Sequence, residues 1–144
     1  MKIAIGFYGI TRSLSYTINS IQKNIVFQAK KEFDTTLFCH FFKQESINNP
    51  RTNEVGLLDV NEWKLLNCNK VLIDDIDTLK ENELFTQLFK FGNSWEDNGE
   101  SLKNIIRQLL SLKIVTNQIQ KTDEYDVIVF IRPDMLFHLS LIHI

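Results

Sequence analysis

Short apolar runs alternate with segments of helical periodicity along this chain, and this order limits the folds it can adopt. The apolar runs occupy residues 2–7, 33–43, 70–74 and 125–131. Apolar residues recur at helical intervals in residues 13–32, 78–91 and 101–121. Brief β-favouring runs predict strands, and the periodic segments predict helices. Parallel strands need crossover connections, which are usually helices, so the alternation predicts an α/β sandwich with a largely parallel sheet.

Polar residues predict where these elements begin and end. Ser13 and Ser101 stand at the starts of the first and last helical segments, where a serine side chain can cap the first turn. Residues 47–58 contain the Pro, Asn and Gly residues typical of a loop, and residues 60–67 fit a short helix.

Length and charge favour one domain without a general affinity for polyanions. The chain has 144 residues, of which 44% are hydrophobic, and we assign residues 1–138 to one α/β domain. Sixteen basic and 18 acidic residues leave a formal charge of -2, so nucleic acid is not an expected partner and any anion site must be local. No stretch approaches the roughly 20 apolar residues of a membrane-spanning helix.

Cysteine usage and the end of the chain add two expectations. Cys39 and Cys68 lack CxxC spacing, which favours reduced thiols over a disulfide or a zinc site. Reduced thiols are typical of a reducing compartment, so we expect a cytoplasmic location. HLSLIHI follows the last predicted strand directly, with no helix to cover the sheet. We therefore expect an N-terminal fragment in which residues 139–144 are a non-native tail.

The first candidate site is the segment GFYGITR after the first strand. Its two glycines allow close backbone approach, and Arg12 can bind phosphate with its forked guanidinium. We assign Gly6, Tyr8, Gly9 and Arg12 to nucleotide binding. The spacing matches neither GxGxxG nor GxxxxGK[ST], and a glycine turn with a surface arginine is the alternative.

The second candidate site is a D-x-D motif, Asp75 and Asp77, after the third predicted strand. Paired carboxylates can bind Mg²⁺ or Mn²⁺ together with a diphosphate. Asp77 also precedes a helical pattern, where an aspartate commonly caps the first turn, so an acidic turn remains the alternative.

The third candidate site ends the run YDVIVFIRPDMLF. Proline cannot donate to a sheet ladder, so the strand should end near Pro133 and place Arg132 and Asp134 at the carboxyl edge of the sheet, where open α/β sheets bind ligands. Asp134 can bind a divalent cation or a sugar hydroxyl, and Arg132 can neutralise a phosphate. The alternative is an ion pair that closes a turn.

The last predicted helix offers one further candidate. Asn104, Arg107 and Ser111 share one helical face, so Arg107 can reach the same site. A solvated helix face is the alternative, and His40 in the aromatic strand is interpreted as a core histidine.

These segments together resemble bacterial glycosyltransferases of capsule and lipopolysaccharide gene clusters. The likeness rests on FYGITRS, NIIRQLLSLK and YDVIVFIRPDMLF. It implies the N-terminal half of a GT-A-like fold, a Rossmann-like three-layer α/β/α sandwich. The family's D-x-D matches Arg132 to Asp134 here, with arginine at the first position, so the resemblance carries over Asp134 as a catalytic residue and metal ligand.

The resemblance also implies a reaction and partners. A sugar would pass from a nucleoside diphosphate sugar to a glycan or lipid-linked glycan, with Mn²⁺ or Mg²⁺, or Arg132 itself, neutralising the diphosphate. Peripheral membrane association is compatible with such an acceptor. The competing hypothesis is a non-catalytic Rossmann-like nucleotide-binding or interaction module.

Overall fold

The computed structural model describes residues 1–49, 53–75, 83–92 and 96–141. Its strands are β1 (Lys2–Gly9), β2 (Asp34–Lys43), β3 (Ser46–Asn49), β4 (Glu54–Leu57), β5 (Lys70–Asp75) and β6 (Val127–Ile131). Its helices are α1 (Leu14–Ile21), α2 (Phe27–Glu32), α3 (Glu83–Phe89) and α4 (Glu100–Thr122). A π-helical turn (Gln22–Val26) joins α1 to α2, and a 3-10 turn (Glu62–Leu66) precedes β5.

Four strands form one parallel sheet in the order β5-β2-β1-β6. The chain moves outward from β1 through β2 to β5 and then returns to the other side of β1 as β6. The strand order therefore reverses at β1, and the carboxyl ends of β1 and β6 lie side by side. The predicted α/β class and the parallel sheet are confirmed.

Alternate residues of β1 pack against different helices, because successive side chains of a strand point to opposite faces. Ile5 and Phe7 lie in one buried cluster with Leu14 and Ile21 of α1. Ala4 lies in another with Val115 and Ile119 of α4. Burial of each large aliphatic or aromatic side chain contributes roughly 1.5–3 kcal/mol, which explains why the buried residues 3–7 of β1 include no polar side chain.

The predicted loop over residues 47–58 is wrong in part. β3 and β4 form an antiparallel hairpin there, with Ile47 opposite Gly56 and Asn48 opposite Val55. Ile47 and Val55 favour extended backbone. Asn48, Asn49 and Gly56 lie within the two strands although such residues are typical of loops, and Asn53 before β4 adopts a φ of 52°. The Pro, Asn and Gly content of the whole segment therefore predicted a loop where the chain forms two short strands.

Other boundaries also differ from the predictions. β1 continues past Gly6 to Gly9, and the helix predicted over residues 78–91 covers Glu83–Phe89 among the described residues. Ser101 is not the cap of α4, since Gly99 occupies that position with a φ of 83°. The Asp97 carboxylate instead accepts hydrogen bonds from the backbone N–H groups of Gly99 and Ser101, as a negative charge beside a helix N-terminus favours.

The helices and the two cysteines were also compared with the expectations from the sequence. Within the described ranges, no helix has the length and apolar character needed to cross a bilayer. Cys39 is buried and Cys68 half-buried, and both are free thiols. A hydrogen bond with Cys39, together with burial, raises the pKa of the Cys68 thiol, so it stays protonated at neutral pH.

Candidate functional site: a cleft at the strand ends

One cleft of about 850 Å³ opens at the carboxyl ends of the parallel strands. We call it the strand-end cleft. Its walls are the residues after β1 and β6, the inner strand of the hairpin (β3) and the first half of α4. Most of the predicted site residues line it, namely Gly9, Arg12, Asp75, Arg107, Arg132 and Asp134. Residues from four distant parts of the sequence therefore meet at one site.

Arg132 and Asp134 form a two-pronged ion pair at the end of β6. Arg132 donates from Nε to Asp134 Oδ1 at 3.0 Å and from its terminal nitrogen to Oδ2 at 2.5 Å. Asp134 is nearly buried, with 8% of its side chain exposed. This carboxylate raises the pKa of the Arg132 guanidinium through the hydrogen bond. Both oxygens of Asp134 are thus engaged by arginine.

Pro133 holds this pair in place from the backbone. The strand ends at Ile131, as the proline predicts, and Pro133 is fully buried. Its carbonyl accepts a hydrogen bond from the hydroxyl of Thr17 in α1. Because Pro133 is anchored on α1, its two neighbours project into the cleft.

Arg12 links the end of β1 to both the hairpin and the Asp134 carboxylate. It donates to Glu54 Oε2 at 2.8 Å and to Asp134 Oδ2 at 3.5 Å. Its side chain is 24% exposed, and that of Glu54 is 38% exposed. Arg12 and Arg132 therefore both donate to Asp134 Oδ2, and Glu54 accepts from the other terminal nitrogen of Arg12.

A buried hydrogen-bond network fixes the glycine turn after β1. Gly9 has a φ of 104°, a conformation that glycine adopts without strain. Its N–H donates to Ser111 Oγ of α4 at 2.9 Å. The Ser111 hydroxyl lies 2.8 Å from His40 Nδ1 and 2.7 Å from the His40 carbonyl oxygen. Having one proton, this hydroxyl donates to one of these two acceptors at a time.

His40 extends this network to β5. Its Nε2 lies 3.1 Å from Asp74 Oδ2, so with a neutral ring the Nε2–H donates to that carboxylate. The ring is completely buried, and burial lowers the pKa of His40 despite the opposing effect of Asp74. Ser111 is also completely buried, so this Ser-His-Asp set supports the backbone and presents no accessible nucleophile.

Gly6 and Tyr8 lie away from the cleft lining. Gly6 is inside β1, where an added Cβ would come within 3.1 Å of Phe130 and 3.2 Å of Ile119. Tyr8 packs edge-on against Phe130, with ring centroids 6.4 Å apart. Both residues contribute to packing between β1, β6 and α4.

The acidic motif is divided by the structure. Asp75 lines the cleft, whereas Asp74 bonds to His40 beneath it. Asp77 lies outside the described residues. Across the part of the chain that is described, no three His, Cys, Asp or Glu side chains are grouped to hold a metal ion.

The predicted face of α4 is directed toward the cleft. Asn104 and Arg107 line it, and Arg107 donates to Asn104 Oδ1 at 2.9 Å. Ser111, one turn further, is buried against the end of β1. The solvated-face alternative is therefore wrong for Ser111.

Positive and negative side chains balance in the cleft lining. Four are basic and four are acidic: Arg12, Lys43, Arg107 and Arg132 against Glu45, Asp75, Glu100 and Asp134. The lining therefore presents individual arginines and not a uniformly positive surface.

Comparisons with known proteins do not place the chain in a family. No protein-family model, no curated protein and no solved structure matched it.

Proposed function

We propose that the chain is the nucleotide-sugar-binding part of a GT-A-like glycosyltransferase. Its donor would be a nucleoside diphosphate sugar, and its acceptor a glycan or lipid-linked glycan of a bacterial capsule or lipopolysaccharide. The observation that carries the proposal is the convergence of Arg12, Arg107 and Arg132 with Asp134 in one cleft. A cytoplasmic location, where such donors are made, belongs to the same proposal.

The position of the cleft supports a nucleotide ligand. In open α/β sheets, ligands bind outside the carboxyl ends of the strands at the point where the strand order reverses. Here that point lies between β1 and β6, and Arg12 and Arg132 follow these two strands. The volume of about 850 Å³ also falls in the range of small-molecule sites. In the proposal, the sheet and its helices form a Rossmann-like three-layer sandwich.

The chemistry requires stabilisation of a leaving diphosphate. The bond between the sugar C1 and the phosphate oxygen breaks, and C1 forms a bond to the acceptor oxygen, whose proton passes to a base that we leave unassigned. Negative charge accumulates on the departing nucleoside diphosphate. Arg12 and Arg132 would bind these oxygens, and prepositioned positive groups of this kind are effective in stabilising transition states.

A divalent cation enters the proposal only with the donor. Mn²⁺ or Mg²⁺ would arrive on the diphosphate and neutralise part of its charge. Asp134 and Asp75 are two of the carboxylates that line the cleft, but both oxygens of Asp134 accept hydrogen bonds from arginine. The oxygens of Asp134 therefore fit a cation poorly as ligands, and no step of the reaction is assigned to a cation.

Thermal unfolding with nucleotides tests the proposal. A ligand at about 100 times its Kd stabilises the folded state by about 2.7 kcal/mol, so UDP or GDP derivatives should raise Tm, with or without Mn²⁺. Arg12→Gln should weaken nucleotide affinity about tenfold, the effect of a lost charged hydrogen bond, and so lower the stabilisation at the same nucleotide concentration to about 1.4 kcal/mol. Lys31→Gln removes the same charge from an exposed site on α2 and should leave the response unchanged. A Tm unaffected by every nucleotide would count decisively against nucleotide binding.

A non-catalytic nucleotide-binding or interaction module is the second candidate. It is favoured by the near-complete burial of Asp134 and its bonds to Arg132, which suit a residue that closes a turn. The two functions separate in a turnover assay, in which only a glycosyltransferase releases free nucleoside diphosphate from the donor when acceptor is added. A module also predicts that Asp134→Ala leaves the nucleotide response intact.

A further inference from the structure

Glu54 places a carboxylate where a ligand phosphate would bind Arg12. Its Oε2 accepts from one terminal nitrogen of Arg12 at 2.8 Å, while the other nitrogen makes a long contact of 3.5 Å with Asp134. A carboxylate and a phosphate both present oxygens to the guanidinium fork, so they compete for the same donors.

We propose that Glu54 is a built-in competitor for the anion subsite of Arg12, displaced by the diphosphate of the ligand. The inference rests on the proposed function, because it concerns the same cleft and the same ligand class. Binding of a diphosphate then exchanges one ion pair for another and frees β4 from Arg12. Glu54 thereby lowers the affinity of Arg12 for singly charged anions, whose contacts do not offset the loss of the Arg12–Glu54 ion pair.

Glu54 is displaceable in a way that Asp134 is not. Asp134 has 8% of its side chain exposed and makes three contacts with two arginines. Glu54 is 38% exposed and makes one ion pair with Arg12. It also lies on a strand of only four residues that pairs with β3 alone. The ligand should therefore replace Glu54 and leave Asp134 holding both arginines.

The size of the effect follows from the exposure of the pair. Double-mutant cycles on exposed ion pairs give small energies, and the corresponding gain in affinity on removing the competitor is about twofold to fivefold.

The test is calorimetric titration with inorganic pyrophosphate. Glu54→Gln keeps the size of the side chain and removes its charge, so it should bind pyrophosphate about twofold to fivefold more tightly than the unmodified protein. Asp123→Asn is the matched control, since it removes one negative charge from an exposed pair with Lys2. That variant should bind as the unmodified protein does. Adding Arg12→Gln to Glu54→Gln should abolish the gain, because the gain acts through Arg12.

Each other outcome overturns the inference. Weaker binding in Glu54→Gln would mean that Glu54 positions Arg12 for the ligand, and equal binding would mean that it does not compete. A gain of the same size in Asp123→Asn would assign the effect to net charge. Absence of pyrophosphate binding in every variant would remove the anion subsite, while the nucleotide response in thermal unfolding would still decide the proposed function separately.

Discussion

The two sides of the strand-end cleft are held by different forces. On the α4 side, Ser111 and His40 are completely buried and join β1, β2 and α4 through short hydrogen bonds. On the hairpin side, Val55 is 76% exposed and Leu57 is 91% exposed. There the partly exposed Arg12–Glu54 ion pair joins β4 to the segment after β1, and a backbone bond from Leu58 N–H to the Glu45 carbonyl closes the base of the hairpin.

This contrast assigns different roles to the two sides. A buried donor that loses its partner costs about 1–3 kcal/mol, whereas an exposed ion pair contributes about 0–1 kcal/mol. The α4 side can therefore fix the glycine turn within a narrow range of positions. The hairpin side can exchange partners at little cost, as ligand entry requires.

The largest expected effect is on the α4 side. Ser111→Val removes the hydroxyl and leaves the Gly9 N–H and His40 Nδ1 without their partner, so the free energy of unfolding should fall by roughly 2–4 kcal/mol. Urea denaturation measures this loss. Thr116→Val is the control on the same helix, where the hydroxyl bonds only to the Leu112 carbonyl, and it should cost about 0.5 kcal/mol or less. Equal losses in the two variants would contradict the special role of Ser111.

A smaller effect on the same side should depend on pH. Burial holds the pKa of His40 below its ordinary value of 6.5. The unfolded chain then binds a proton at pH values where the folded protein does not, so stability falls as the pH drops below 6.5 toward the lowered pKa. Urea unfolding at a series of pH values across this window measures the slope. In His40→Gln the slope from this group should vanish, and a slope of opposite sign in the unmodified protein would mean that Asp74 dominates.

The α4 side and the hairpin side also differ in how far sequence predicts them. Local patterns predict the alternation of strands and helices along the chain, the extent of α4 and the end of β6 before Pro133, because periodicity and proline act within a few residues. The same face of α4 carries Arg107 and Ser111, so their common direction is predictable. The partners of Ser111 are not, since they depend on how β1 and β2 align against α4.

The hairpin was hidden for a different reason. Its strands have four residues each, too few for a periodic signal, and they contain Asn48, Asn49 and Gly56, which are typical of loops. Glu54 accordingly had no sequence signal as a partner of Arg12. Its role became visible only when β4 placed it 2.8 Å from that guanidinium.

The smallest expected effect is on the hairpin side. Glu54→Gln should change the free energy of unfolding by about 1 kcal/mol or less, because the pair with Arg12 is partly exposed and the amide can still accept a hydrogen bond. Urea denaturation of Glu54→Gln and Ser111→Val under the same conditions compares their losses of unfolding free energy. A loss comparable to that of Ser111→Val would mean that the hairpin depends on Glu54 for its fold, and a ligand could then displace the carboxylate only by unfolding the hairpin. A small loss together with tighter pyrophosphate binding would show that the two sides differ as the burial of their contacts implies.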